Sequence, residues 1–109
     1  MNIIQVEKLA KELMAQHLDD GWKLRFTKSI KVFGRCCCDE KVIELGKIPC
    51  QLNEYEHVRN VILYEIAHAL VGYEHAHDEV WVAKHKEIGG DGSPCCEHPD
   101  VVVKTRYVG

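Results

Sequence analysis

Residues 61–71, Val-Ile-Leu-Tyr-Glu-Ile-Ala-His-Ala-Leu-Val, decide the fold of this chain. Their apolar side chains cover most of the circumference of a helix, and a helix that is apolar nearly all round lies in the centre of a core. We expect this helix to begin at Asn53, a good N-cap residue, and to end at Gly72. From residue 61 onward its polar side chains are Tyr64, Glu65 and His68. Because polar groups are buried at a cost unless they have a partner or a role, this helix is the candidate functional element.

These three polar residues match, with one departure, the helix motif H-E-x-x-H of zinc peptidases. In the intact motif two histidines, four residues apart on one helix face, bind zinc, and the glutamate is the general base for the metal-bound water. Glu65 and His68 stand at their places in the motif, and Tyr64 occupies the position of the first histidine. Ionising a phenol at pH 7 costs about 4 kcal/mol, although a nearby divalent cation lowers that cost. A lost ligand and an unusual phenolate ligand therefore both remain open.

A third zinc ligand is expected in the segment that follows the helix. Catalytic zinc usually has three protein ligands and keeps one position for water. Residues 73–78, Tyr-Glu-His-Ala-His-Asp, contain two histidines in a loop that can fold back to face the helix. We expect His77 to be the ligand, with His75 as the alternative. The other histidines are expected to be packing or surface residues: His17, His57, His85 and His98.

The rest of the chain predicts an α+β fold. Apolar residues at helical spacing predict an N-terminal helix over residues 1–18. Alternating apolar and charged side chains in residues 22–27 predict a half-buried strand, and residues 30–37 and 41–45 predict two more. The connections are too short for crossover helices, so we expect a three-stranded antiparallel sheet. Further elements are expected in this order: a second helix over residues 78–88, a loop over 91–99 and a last strand over 101–107.

The segment at residues 65–70, Glu-Ile-Ala-His-Ala-Leu, makes the pattern specific to a family. With Gly72 and with His-Asp-Glu-Val-Trp at residues 77–81, the chain resembles the SprT-like zinc metallopeptidases of phages and bacteria. That family shows HEIAHAL, then a short loop ending in H-G-x-x-W, then a second helix. The preceding strands, Gly-Arg-Cys at residues 34–36 and Val-Ile-Glu-Leu at 42–45, resemble the family's "G-x-C … I-x-L-S" hairpin.

This resemblance covers about residues 20–90 and implies a zincin-like fold with a buried metal-site helix. It implies that Glu65 is the catalytic base and that His68 and His77 are zinc ligands. Tyr64 occupies a ligand position that it does not match, so we expect zinc to be lost or weakly bound. Peptide-bond hydrolysis is then expected to be impaired or absent.

Length and composition fit a single domain over residues 1–109, without the Cys-rich zinc ribbon into which family members often continue. No apolar run approaches the roughly 18 residues that a membrane helix needs, and a signal-peptide pattern is not evident at the N-terminus. We therefore expect no membrane partner and a cytoplasmic location, in a bacterium or a phage-infected host cell. Reduced thiols are expected for the six cysteines.

The expected partner is a protein or peptide substrate. Some members of the family act on proteins crosslinked to DNA, but the net charge of −3 and the missing ribbon weaken DNA as a partner here. A local basic strip is expected to be a solvated strand face: Lys23, Arg25, Lys28, Lys31 and Arg35. The alternative function is a non-catalytic module that kept the fold and binds a protein or a nucleic acid in the old cleft.

Overall fold

Four helices and three strands follow one another along the part of the chain that the computed structural model describes, residues 1–72, 78–90 and 92. In chain order they are α1 (Ile3–His17), β1 (Lys23–Thr27), β2 (Gly34–Cys37), β3 (Val42–Gly46), α2 (Lys47–Leu52), α3 (Tyr55–Val71) and α4 (Glu79–Glu87). The predicted α+β arrangement, with a helix before the sheet and helices after it, is confirmed. The short helix α2 was not expected from the sequence.

The sheet is mixed, so the prediction of an antiparallel sheet is wrong for one of its two strand pairs. The strand order is β1-β3-β2; β2 runs antiparallel to β3, but β1 runs parallel to β3. After β1 the chain crosses to the far edge, returns along β2 and then enters the middle of the sheet as β3. The strand β2 itself reverses the chain direction between β1 and β3, so a parallel pair forms without a crossover helix.

The two faces of this sheet differ in their surroundings. Leu24, Ile43 and Cys36 are register partners on one face, which we call the inner face, and α1 and α3 pack against it. The side chains of Ile43 and Leu45 are fully buried there. The opposite face, the outer face, carries charged side chains instead. The inner face therefore holds one side of the hydrophobic core, as the alternation of apolar and polar residues predicts.

The helix boundaries follow local capping. Gly72 ends α3 with φ of 86°, a backbone conformation that favours glycine, which confirms the predicted stop. Asp78 caps α4, because its carboxylate accepts hydrogen bonds from the backbone N–H groups of Val80 and Trp81 at 3.0 and 3.1 Å. Asn53 was predicted to cap α3, and this is wrong. Its side-chain amide instead donates to the carbonyl of Pro49 at 2.8 Å and closes α2, so α3 starts after Glu54.

Several sequence predictions lie outside the described residues. They concern the two histidines of residues 73–77, most of the loop over 91–99 and the strand over 101–107. Within the described part of the chain, no helix is long and apolar enough to cross a membrane.

Candidate functional site

The helix α3 carries the predicted site residues in the interior of the molecule. Tyr64, Glu65 and His68 are exposed by only 1%, 2% and 9%. This burial confirms that α3 is the central helix, as its all-round apolar sequence predicts. The helix therefore lies between the sheet on one side and α4 on the other, and its polar residues must be considered against these two neighbours.

Tyr64 and His68 share the helix face that is turned toward α4. Their ring centroids are 5.1 Å apart with an edge-to-face geometry, as expected for positions one turn apart. The indole of Trp81 packs edge-on against Tyr64 at 4.9 Å and lies 5.5 Å from the imidazole of His68. The indole Nε1 also donates a hydrogen bond of 3.4 Å to the backbone oxygen of Tyr64. The tyrosine ring is thus a packed part of the core at the first ligand position.

His85 completes this arrangement, and we call Tyr64, His68, Trp81 and His85 the aromatic cluster. The imidazole of His85 stacks on the indole of Trp81 at 4.7 Å, and its Nδ1 accepts a hydrogen bond from the backbone N–H of Gly92 at 3.1 Å. These contacts fit the packing role that the sequence suggested for His85. Its proximity to Tyr64, with ring centroids 6.2 Å apart, was missed. The spacing of four residues from Trp81 on α4 was the signal that could have revealed it.

Glu65 contacts the sheet at the start of β2. A methyl group added at Gly34 would lie 3.2 Å from Cγ and 3.3 Å from Oε2 of Glu65. The glycine therefore allows β2 to approach the carboxylate closely. Cys36 lies two residues after Gly34 on the same face of β2. Burial raises the pKa of its thiol, and the hydrogen bond with Cys38 and the negative charge of Glu65 raise this pKa further.

Two thiols lie beside this carboxylate and the end of α3. The Sγ atoms of Cys36 and Cys38 are 3.4 Å apart, and Cys38 donates a long hydrogen bond of 3.9 Å to the backbone oxygen of His68. None of the four cysteines of residues 1–72 forms a disulfide. The thiol of Cys36 thus lies beside Glu65, and the thiol of Cys38 contacts the backbone of His68, both at the end of β2.

A metal site here would have to be built from the donor atoms of α3 and its neighbours. Across residues 1–72, 78–90 and 92, no group of three or more His, Cys, Asp or Glu side chains is arranged to hold a metal ion. At the motif positions the helix offers the imidazole of His68 and the phenol of Tyr64. His77 and His75, the expected third ligand and its alternative, lie outside the described residues. The described donors alone do not fit a catalytic zinc site, which needs three ligands.

The outer face of the sheet holds a different polar site. Glu44 is only 7% exposed and lies between two arginines on the neighbouring strands. It accepts hydrogen bonds from Nε of Arg25 at 3.1 Å and from Nε and a terminal nitrogen of Arg35 at 3.0 and 2.7 Å. The hydrogen bond that Arg35 donates to Glu44 raises the pKa of the guanidinium. Two members of the predicted basic strip are thus paired with a carboxylate, which agrees with a structural strand face.

Comparison with known proteins gives one informative result. No curated protein and no solved structure matches the chain significantly. The model of the SprT-like family, whose members are typically zinc-dependent, matches residues 5–104. This match confirms the resemblance found around the helix motif and extends it over nearly the whole chain, so the protein belongs to the SprT-like family.

Proposed function

We propose that this protein is a SprT-like zinc metallopeptidase domain in which Tyr64 has replaced one zinc ligand, with hydrolysis impaired or abolished as a result. The observation that carries this proposal is the placement of Tyr64. Its ring lies one helical turn before His68, on the same face and 5.1 Å away, at the position where the family motif has a histidine. The flanking residues Glu65 and His68 keep the identities that the motif requires.

The surroundings of Tyr64 explain why the replacement weakens metal binding. A phenol must ionise to become a good ligand, at a cost of about 4 kcal/mol at pH 7. Burial disfavours the charged phenolate, and Tyr64 is almost completely buried between His68 and Trp81. The phenol ring is also longer than an imidazole, so an ion bound to its oxygen would sit away from the place that two histidines define. Errors in ligand geometry of this kind weaken metal sites.

The remaining residues have clear roles in the family reaction. Zinc, when bound in an intact member, polarises the peptide carbonyl and activates a water molecule. In this chain Glu65 is the candidate base that accepts the proton of the attacking water, and its position against Gly34 fixes the carboxylate between α3 and β2. His68 and His77 are the candidate ligands. Because the described donors do not make a zinc site, we assign no hydrolytic step to the present chain.

A protein or peptide is the partner that the sheet edge supports. Among the described strands, β2 forms one edge of the sheet, where an extended peptide would add as a further strand. Gly34, at the start of β2, is the residue next to the Glu65 carboxylate. An extended peptide paired with β2 would therefore run along the site. Nucleic acid is less well supported, because Arg25 and Arg35 are already engaged by Glu44.

The decisive experiment is the substitution Tyr64→His. We expect the variant to bind about one zinc ion per chain by elemental analysis, and to gain hydrolysis of casein or of a fluorogenic peptide. The double variant Tyr64→His/Glu65→Gln is the matched control, which should keep the zinc and lose hydrolysis. A folded Tyr64→His variant that gains neither zinc nor hydrolysis would refute the proposal.

A second substitution separates a disabled site from an unusual one. If the phenol of Tyr64 is a working ligand, the unmodified protein contains about one zinc per chain and Tyr64→Phe removes it. Our proposal expects little zinc in either protein and no difference between them. The alternative function, a non-catalytic binding module, predicts that Tyr64→His restores no hydrolysis and that Glu65→Gln leaves partner binding unchanged. Binding to single-stranded DNA that weakens steeply with salt would add a nucleic-acid partner to that alternative.

A further inference from the structure

Two cysteines at the end of β2 lie in direct contact, beside the candidate site but outside its chemistry. Cys36 is on the inner face of the sheet, and Cys38 lies two residues later, where the chain leaves β2 and turns toward β3. Their sulfur atoms are 3.4 Å apart. Cys37, between them, is directed to the outer face next to Arg35 and Glu44, because successive strand residues alternate. The alternation of the strand therefore selects the pair Cys36–Cys38.

We propose that Cys36 and Cys38 form a reversible dithiol–disulfide site, which a low-molecular-weight disulfide such as oxidised glutathione can close. The inference is independent of zinc and of hydrolysis, so it stands or falls separately from the proposed function. The sulfur atoms are already in contact, and a disulfide requires them to approach to about 2.05 Å, a movement that side-chain rotation near the end of a strand can supply.

The exposures of the two thiols set the order of the reaction. Cys38 is half-buried, whereas Cys36 is 5% exposed, so the thiolate of Cys38 attacks glutathione disulfide first. This step forms a mixed disulfide and releases one glutathione thiolate. The sulfur of Cys36 then attacks the Cys38 sulfur and displaces the second glutathione. The two protons of the cysteines end on the two glutathione thiolates. Overall, two protein thiols are oxidised to one disulfide, and one glutathione disulfide is reduced to two thiols.

The small size of the ring explains why the bond would be reversible. A disulfide between residues i and i+2 closes a loop with one intervening residue, and such tight loops are strained. Strained disulfides have higher reduction potentials and are labile or regulatory rather than structural. The pair is therefore expected to open again when reduced glutathione is in excess.

Closing the pair changes a contact with the candidate site. The thiol of Cys38 donates to the backbone oxygen of His68, and a disulfide sulfur carries no proton to donate. The same His68 oxygen accepts from the backbone N–H of Gly72 at 2.8 Å, which forms the last turn of α3. Oxidation thus removes the contact of Cys38 with this carbonyl. The end of α3 is where the redox state of the pair should be detectable.

The test uses the full chain, first fully reduced and then incubated with oxidised glutathione. Remaining thiols are alkylated in denaturant, and the protein is digested with trypsin. Cleavage after Arg35 and Lys41 yields a peptide of residues 36–41 that contains Cys36, Cys37 and Cys38. Cys50, Cys95 and Cys96 fall in other peptides and do not interfere. We expect the 36–41 peptide to lose two hydrogen atoms and to carry a single alkyl group, on Cys37.

Single substitutions make the outcome specific. Cys37→Ser is the matched control and should still form the disulfide. Cys36→Ser removes the second thiol, so Cys38 should stop as a mixed disulfide with glutathione. Cys38→Ser removes the first attacking thiol, so Cys36 should stay unmodified; since Cys38 is half-buried, this variant is also expected to fold. Excess reduced glutathione should restore three alkylated cysteines in the unmodified chain.

Three results would overturn the proposal. One is a 36–41 peptide that keeps three reactive thiols after oxidation of the unmodified chain. Another is loss of the disulfide in Cys37→Ser, which would mean that Cys37 is a partner. The last is a mixed disulfide that persists on Cys38 in the unmodified chain, because Cys36 then cannot reach it. Hydrogen exchange at the Gly72 amide adds a structural measurement, and we expect faster exchange in the oxidised protein.

Discussion

The two faces of the sheet each bury a glutamate, and they do so in opposite ways. On the outer face Glu44 lies between Arg25 and Arg35, within 3.1 Å of both. At the inner face, the Glu65 side chain of α3 lies against Gly34 and beside the thiol of Cys36. The first carboxylate is held by opposite charges on neighbouring strands. The second lies where a glycine makes room for it.

This difference teaches how to separate a structural carboxylate from a candidate catalytic one. Burial costs a carboxylate several kcal/mol unless opposite charge and hydrogen bonds compensate, and the arginines on both sides of Glu44 supply that compensation. Both oxygens of such a group are already engaged by arginines, which is the arrangement of a structural carboxylate. Glu65 lies next to His68 in a family motif, and its neighbours on β2 are small residues. The family motif and the close approach of Gly34, rather than burial alone, make Glu65 the candidate functional carboxylate.

The largest effect is expected at Ile43, the inner-face neighbour of Glu44 on β3. Ile43 is completely buried against α1 and α3, so Ile43→Ala should lower the free energy of unfolding by about 2–5 kcal/mol. Urea titration followed by circular dichroism measures this change. Val42→Ala, at a half-buried position on the outer face, is the control and should lose about 1 kcal/mol or less. Equal losses at both positions would break the distinction between the faces.

A smaller effect is expected when the two buried glutamates are compared directly. Glu44→Gln keeps the shape but removes the charge that both arginines contact, and should lower the free energy of unfolding by about 1–2 kcal/mol, since the arginines are half-exposed. Glu65→Gln should change it by less than about 1 kcal/mol, because the isosteric amide keeps the packing against Gly34 and can still accept a hydrogen bond. The same urea titrations give both values. A larger loss at Glu65 than at Glu44 would reverse our assignment of the structural carboxylate.

Gly34 should give an effect of about 1 kcal/mol on stability and a larger one on function. In Gly34→Ala the new methyl group lies 3.1–3.3 Å from Val61 and Glu65, so these side chains must move by a few tenths of an ångström. In the Tyr64→His background, this shift of the base should reduce kcat while the zinc content stays at about one per chain. Arg35→Ala, one residue along on the outer face, should leave kcat unchanged. An equal fall in kcat for both would mean that the effect is only a loss of stability.

Much of the fold could be predicted because it depends on local patterns. The all-round apolar sequence of α3 and its stop at Gly72 follow from side-chain periodicity and from glycine's tolerance of positive φ. The strand order could not be predicted in the same way, since every strand shows only its own alternation. Which strand lies in the centre of the sheet depends on long-range packing. Here it is β3, whose side chains Ile43 and Leu45 are completely buried. The cap at Asn53 was wrong because α2, a short helix with a weak pattern, competes for the same side chain.

The candidate site was predictable to the extent that it lies on one helix. Tyr64 and His68 share a face because they are one turn apart, and no tertiary information is needed for that. The contact of Glu65 with Gly34 was not predictable, because it depends on how β2 packs against α3. The same holds for Trp81 and His85, whose positions depend on how α4 crosses α3. The pairing of Arg25 and Arg35 with Glu44 needed the mixed strand order.

The smallest expected effect on stability, and the sharpest contrast between the faces, is at Cys36 and Cys37. Burial raises the pKa of both thiols, on the inner and the outer face respectively. The folded chain therefore keeps both protons where the unfolded thiols, with a pKa near 9, begin to ionise. This contribution to stability is present below about pH 9 and is lost as the pH rises above it. Between pH 7 and 8 neither thiol should alter the free energy of unfolding measurably.

Reactivity should nevertheless separate the two thiols in that same range. In Cys38→Ser, which leaves one cysteine on each face at the end of β2, iodoacetamide should modify Cys37 at least about tenfold faster than Cys36, because only Cys37 is partly accessible. The alkylation rate at Cys37 should rise with pH as its thiolate forms. The rate at Cys36 should instead depend on how often the inner face unfolds to expose the thiol, so it should fall when the folded protein is stabilised. Mass spectrometry of the 36–41 peptide distinguishes the two sites. Equal alkylation rates of Cys36 and Cys37 at pH 8 would show that the inner face is open to solvent. Glu65, which lies beside Cys36, would then not be in an enclosed position.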